Sequence, residues 1–391
     1  MGMTGDSRVV SATLLMVAAA SCGPPSPPPP PAPVMVPVID AVSPALSLGV
    51  TDVVLPEPGP TVEDEILRSS MLRDAGFRQE VARWIEFWQT AGARWFPEYL
   101  SRMAWFSTTV DATLAERGLP PSLRYLPIVE SGYSPRAVSR ARAVGLWQLM
   151  APTARGYGLH VGPLLDERRN PFRSTDVAVG YLASLRERFG SWFLALAAYN
   201  SGPYRVQSVL ERHAPLAPRS DALYWQIRPH LPRETRDFVP KFVAASMVAA
   251  NPAAYGFDRV PASHFVFDEV AVPDATTLDV IAEAAGVDQS EIERLNPEIL
   301  RGITPPGRET SLRVPLGTGD TFRERYALIP PSERVTFVEH RVARGETFTH
   351  IARRYGVRLT DLRAANPGVE PRRLQIGQRL TVPVAGRRGT N

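Results

Sequence analysis

Glu130 closes an apolar run, Tyr125-Leu126-Pro127-Ile128-Val129, and Ser131, Gly132, Ser134 and Pro135 follow closely. A carboxylate at the inner end of such a run loses solvation when the run packs, and desolvation disfavours its charged form. Its proton is then retained near neutral pH, which is what a general acid requires. Three other stretches set polar side chains among apolar ones: AVGLWQLM (143–150), LAAYNSGP (196–203) and LPRETRDFVPKFVA (231–244). Ser131 has no base motif beside it and reads as a turn or helix-end residue, not as a nucleophile. His160, His213, His230, His264, His340 and His350 are scattered without metal-ligand spacing. Gly-rich phosphate loops are absent as well, so neither a metal nor a cofactor is expected.

A helical frame must position these groups. Trp84, Phe87, Trp88 and Trp95 recur at spacings of one helix face, and such a stripe reads as core. Helical patterning continues through 108–117, 120–129, 151–157, 174–189, 194–199, 206–213 and 235–250, with almost no strand-like alternation before His264. At 391 residues the chain is long enough for two or three domains, and 44% hydrophobic with 21% charged residues is an ordinary globular balance. The net charge of +4 is modest, and no nucleic-acid partner is expected. Charge is uneven: from Val338 onward eleven Arg face four acidic residues, 11 − 4 = +7. Lys241 is the only lysine, which reads as a compositional bias.

The first residues read as an export signal. Arg8 precedes an apolar stretch, Val9 to Ala20, too short to span a membrane. It ends in AASCG, similar to a bacterial lipoprotein cleavage box in which Cys22 would be the lipidated first residue, with Ala19 where leucine is usual. Cys22 is the only cysteine, so no intramolecular disulfide is possible. PPSPPPPPAP follows, a composition that predicts an extended, semi-rigid stalk of about 3 Å per residue.

The C-terminal third repeats itself. LDVIAEAAGVDQSEIERLNP (278–297) aligns with FTHIARRYGVRLTDLRAANP (348–367), and LRVP and LTVP close the two copies. Each copy reads as strand, helix, helix, strand and resembles the LysM module, which implies glycan binding. The second copy fits well; the first has PDATTL where the second has RGETF, so its first turn is altered.

In order and spacing, the four stretches around Glu130 resemble the catalytic domain of soluble lytic transglycosylases, with a goose-lysozyme-like helical fold. Joined to LysM modules and a lipoprotein start, the chain resembles membrane-bound lytic transglycosylases of the D type over roughly residues 65–383. The resemblance implies cleavage of the β-1,4 bond between N-acetylmuramic acid and N-acetylglucosamine, with Glu130 as sole acid and then base, leaving a 1,6-anhydro end. It further implies that Ser139 orients the acid, that Gln148 and Met150 line the cleft, and that Tyr199 and Asn200 position the glutamate and contact the sugar. A core role for Tyr199 remains open. Phe238 stands where the family has a tyrosine, so that hydroxyl is missing. Arg168 and Glu234 read as braces of the fold.

The expected architecture is a multidomain α+β chain: an all-α lysozyme-like catalytic domain followed by small βααβ LysM modules. Its expected parts are a lipoprotein signal peptide (1–21), a Pro-rich linker (22–60), a helical extension (61–110), the catalytic domain (111–256), a degenerate LysM-like module (262–316) and a LysM module (337–384). The partners implied are peptidoglycan glycan strands and, through the lipid on Cys22, a membrane, with the chain a monomer. The expected place is the periplasmic side of the cell envelope, at the outer membrane because Gly23 follows the cysteine where inner-membrane retention uses aspartate. Two alternatives stay open: a hydrolytic muramidase, with Asp166 as a weak candidate for its second carboxylate, and a non-catalytic wall tether.

Overall fold

The structure, a computed structural model, describes residues 64–383 apart from 259, 261–264, 306, 336 and 356. The signal segment, Cys22 and the Pro-rich stretch lie outside the described residues.

Nine α-helices make up the described part before residue 259: α1 (Ala75–Gln89), α2 (Phe96–Glu116), α3 (Leu126–Ser131), α4 (Ala151–Gly156), α5 (Pro171–Phe189), α6 (Trp192–Ser201), α7 (Pro203–His213), α8 (Asp221–Ile227) and α9 (Arg233–Ala250). Side-chain caps start several of them. Asp74 accepts from the Phe77 amide, Asn170 from those of Phe172 and Arg173, and Ser191 from that of Leu194. Trp192 to Ala198 are all buried, so α6 is apolar on every side and lies at the centre, with α5, α7, α8 and α9 around it.

Two expectations change in detail. α2 begins at Phe96, twelve positions ahead of Thr108, because Pro97 suits the first helical turn. The aromatic stripe is not one helix face: α1 stops at Gln89, Trp88 is core, and Trp95 beyond the break is 38% exposed, with the Arg94 guanidinium 3.9 Å from its ring centre.

Both repeats are βααβ units. In the first, β1 (Phe267–Val272) pairs antiparallel with β2 (Thr310–Pro315) around α10 (Leu278–Ala285) and α11 (Gln289–Leu295). An added helix, α12 (Gly319–Leu328), places Phe322 and Tyr326 in the same core. The second pairs β3 (Phe337–Arg341) with β4 (Arg379–Pro383) around α13 (Phe348–Arg354) and α14 (Leu359–Ala364). The repeated asparagine has a structural cause. Asn296 donates to the carbonyls of Ile292 and Arg313 and accepts from the Arg313 amide. Asn366 does the same with Leu362 and Thr381. Each joins the end of the second helix to the closing strand, satisfying three buried backbone groups with one side chain.

Candidate active site

α3 is six residues long and ends at Gly132, whose φ of 59° lies in the left-handed region. A Cβ there would also sit 2.3 Å from the Tyr99 ring, so glycine alone fits both the turn and the contact. Leu126, Pro127 and Ile128 face the core, and Glu130, one residue before the helix end, is half-buried with an opening to solvent. Burial pushes its carboxyl pKa up to about 8; the Lys241 ammonium works against this shift and Glu234 adds to it. At neutral pH Glu130 therefore keeps its proton.

Lys241, on α9, is the functional neighbour that sequence reasoning passed over. Its Nζ lies 5.4 Å from the Trp84 ring centre and 5.6 Å from that of Trp88, so two indole faces share the cation. Burial lowers its pKa, while Glu130, Glu234 and Asp237 hold it up. Glu234 and Lys241 are seven positions apart, two turns along one face of α9. Glu234, read above as a brace, is thus exposed and electrostatically coupled to Glu130.

The segment after α3 is strained. Tyr133, Arg142 and Gln148 all have positive φ, at 58°, 63° and 49°, and they are the only non-glycine residues to do so among those described. Three such residues within sixteen positions mark a loop held in shape by its surroundings, as functional loops are. Short bridges from Val144 to Val138 and to Leu149 fold it. Gln148 Nε2 donates to the Gly145 carbonyl at 2.8 Å. The Trp147 indole N–H is fixed on Thr175 Oγ1 at 2.9 Å.

Tyr199 and Asn200, near the end of α6, join the parts. The Tyr199 hydroxyl donates to the Trp147 carbonyl at 2.7 Å. Burial first, and the Glu130 carboxylate second, raise its pKa well above the ordinary phenol value. Asn200 Oδ1 accepts from Thr235 Oγ1 at 2.8 Å, and its Nδ2 reaches Glu234 Oε1 at 3.4 Å. The structure therefore gathers Glu130, Tyr199, Asn200, Glu234 and Lys241, with Gln148 joined through its neighbour Trp147. Met150 is exposed on the same loop. Ser139 Oγ accepts from the Ala143 amide at 3.0 Å, and no hydrogen bond joins it to Glu130 among the described residues. The Ser139 oxygen helps to close the 139–143 turn.

Asp166 is excluded as a water-activating base. It is buried and clamped by both Nε and Nη2 of Arg168, at 2.9 and 2.7 Å. Phe238 is buried in α9.

A protonated glutamate on a short helix thus stands beside the largely buried central helix and faces a strained loop, and residues 108–219 match the transglycosylase SLT domain family. Residues 266–331 match the LysM-like domain of the lytic transglycosylase MltD, and 340–383 match the LysM domain. These matches follow one another in the order read from the sequence, a catalytic-type domain and then two LysM-type modules. The chain is 31% identical over 287 residues to membrane-bound lytic murein transglycosylase D of Escherichia coli (strain K12), covering 70% of this chain and 62% of that protein. It thus spans about three fifths of the curated relative's length. Membrane-bound lytic murein transglycosylase C of Histophilus somni (strain 2336) is 33% identical over 101 residues, 22% of this chain and 28% of that one. Among solved structures, the 70 kDa soluble lytic transglycosylase of Escherichia coli aligns at 24% identity with a TM-score of 0.33, over 38% of this chain and 24% of that chain.

Proposed function

We propose that this chain is a peptidoglycan lytic transglycosylase, cutting the β-1,4 bond between N-acetylmuramic acid and N-acetylglucosamine without water. Glu130 gives its proton to the glycosidic oxygen as the bond from C1 to that oxygen breaks and positive charge develops at C1. The resulting carboxylate takes the proton from the muramic acid's own C6 hydroxyl, whose oxygen attacks C1. Atoms balance without a co-reactant: the proton lent is the proton regained, and a 1,6-anhydro end remains. The observation that carries this reading is Glu130, a partly buried residue whose carboxyl pKa is pushed up to about 8 by burial. Lys241 stabilises the carboxylate between the two steps. Tyr199 and Asn200 hold the loop and the α9 face on either side, and Gln148 and Met150 line the cleft. Ser139 acts through the turn that carries the loop.

Cys22 is the lipid anchor in this proposal, tethering a monomer to the periplasmic side of the cell envelope, at the outer membrane. The domain boundaries proposed from the sequence go with it, and the LysM modules keep the enzyme on its insoluble polymer.

A hydrolytic muramidase remains the second reading, because Glu234 is an exposed second carboxylate coupled to Glu130. Digestion of purified sacculi by the soluble part, followed by mass spectrometry, separates the two: anhydro ends are one water lighter than reducing ends. Reducing ends alone would overturn the lytic assignment. Wild-type turnover by Glu130→Gln would overturn the role of the acid, and binding without release of soluble muropeptides would leave a tether.

A further inference from the structure

The first repeat does not end at its own surface. Leu165, from the loop between α4 and α5, is 3% exposed and belongs to the hydrophobic core of that module beside Val270, Ile281, Ile299 and Leu312. Around it the backbones form a short antiparallel pairing: the Asp166 amide donates to the Glu298 carbonyl at 3.0 Å and the Leu300 amide to the Leu164 carbonyl at 2.8 Å.

Beneath this pairing lies a buried ionic network. One oxygen of Glu298 accepts from Asn170 Nδ2 at 2.8 Å and also from the Arg313 guanidinium. Glu298, Arg313 and Asn170 are all at least nine-tenths buried. Charges at that depth are strongly destabilising when a partner is lost, so the contact is made once and kept. The loop so gripped carries Arg168. Its guanidinium, besides clamping Asp166, donates at 3.1 Å to the carbonyls of both Arg142 and Leu149. Arg142 and Leu149 flank the strained turn that contains Gln148. The Arg168 carbonyl presses on the same turn from below: a Cβ at Gly145 would lie 1.9 Å from it.

We infer that the first LysM-like module is a built-in brace of the catalytic domain, which holds the active-site loop in shape through Glu298, Asn170 and Arg168. Glu298 and Asn170 are positioning residues in this scheme. Among the described residues the second module makes no such connection; its core is separate, and an ion pair from Arg301 to Asp361 at 2.7 Å joins it to the first. The altered PDATTL turn then follows from a change of role. There Thr276 is fully buried, paired with Tyr326 of the added helix, and its amide is tied to Thr304 Oγ1 at 2.8 Å. This inference does not rest on the proposed reaction, and its test reads no activity.

The informative variant is Asn170→Asp in the full chain. It keeps the side-chain oxygen that caps α5 but removes the donor and sets a second carboxylate against Glu298. Amide hydrogen exchange at Val144 and Leu149, whose N–H groups bond each other's carbonyls across the turn, is expected to speed up at least tenfold. Adding Glu298→Gln restores a donor–acceptor pair of reversed polarity and is expected to recover most of the protection. Should Asn170→Asp unfold the chain, Ile299→Ala provides a milder cut at the same seam, with Leu362→Ala in the second module as control. Faster exchange at Val144 and Leu149 in Ile299→Ala alone supports the brace. Unchanged exchange in the folded Asn170→Asp or Ile299→Ala variant, or equal acceleration in Leu362→Ala, overturns it.

Discussion

The hydroxyl of Tyr199 donates to the carbonyl oxygen of Trp147 at 2.7 Å, tying the central helix to the turn that presents Gln148. No other polar group is needed to explain why a tyrosine stands at this apolar position. Tyr199→Phe keeps the ring packing against Tyr181 but leaves that carbonyl without its partner. We expect a loss of about 1 kcal/mol, the net value of such a bond, and a melting temperature lower by about 2–4 °C. Turnover of soluble glycan fragments should fall several-fold more than binding does, which steady-state kinetics will resolve. An unchanged kcat would show that the bond only packs the core.

A second prediction concerns pH. Because the Glu130 pKa is pushed up to about 8, the acid is present at neutral pH, and activity should decline as pH rises through about 8. Stability carries the same sign. The folded-state value lies above the unfolded one, so the stabilisation is complete below the ordinary glutamate value of 4.5 and is lost as pH climbs from there through about 8. Glu130→Gln removes the ionisation, so it should be inactive yet more stable than wild type at pH 9, by on the order of 2 kcal/mol after allowing for the site's opening to water. Denaturant melts at pH 5 and pH 9 check this; the difference between the two proteins should be clearly larger at pH 9 than at pH 5.

Lys241 offers an independent handle on the same carboxyl. Its ammonium lowers the Glu130 pKa against the larger effect of burial, so Lys241→Met should move the alkaline limb of the activity profile to higher pH. The rate at neutral pH should drop, because the carboxylate formed after proton transfer loses its counter-charge. Lys241→Arg should recover part of the rate. A limb that stays in place in Lys241→Met would mean that the two groups are not coupled.

Much of this was legible in the sequence, for identifiable reasons. Helices α5, α6 and α9 have long apolar faces, and the repeated asparagines mark a bond pattern that two βααβ units need equally. The unread parts lie where contacts are made across distance. Lys241 looked like a compositional accident because its partners Glu130 and Trp84 are more than a hundred positions away. Asn170 and Glu298 are 128 positions apart, and nothing in either local stretch announces the other. Helix α8, DALYWQI, is only seven residues long and too short to show a period. The Ser139 oxygen accepts from the Ala143 amide within the tight 139–143 turn, a local contact that the resemblance does not announce.

The second LysM module allows a prediction that separates binding from chemistry. Its core of Phe348, Ile351, Leu362, Leu380 and Val382 is its own, so removing it should leave the catalytic domain and its brace folded. If the module supplies a weak second grip on the polymer, it raises the local concentration of cleavable bonds, and the benefit exists only where one molecule offers both a binding site and a bond. Deleting residues 338–391 should therefore lower the rate on whole sacculi by about tenfold or more and leave the rate on short soluble fragments within about twofold of wild type. Parallel assays on the two substrates decide it. Equal losses on both would place the module in the architecture of the catalytic part.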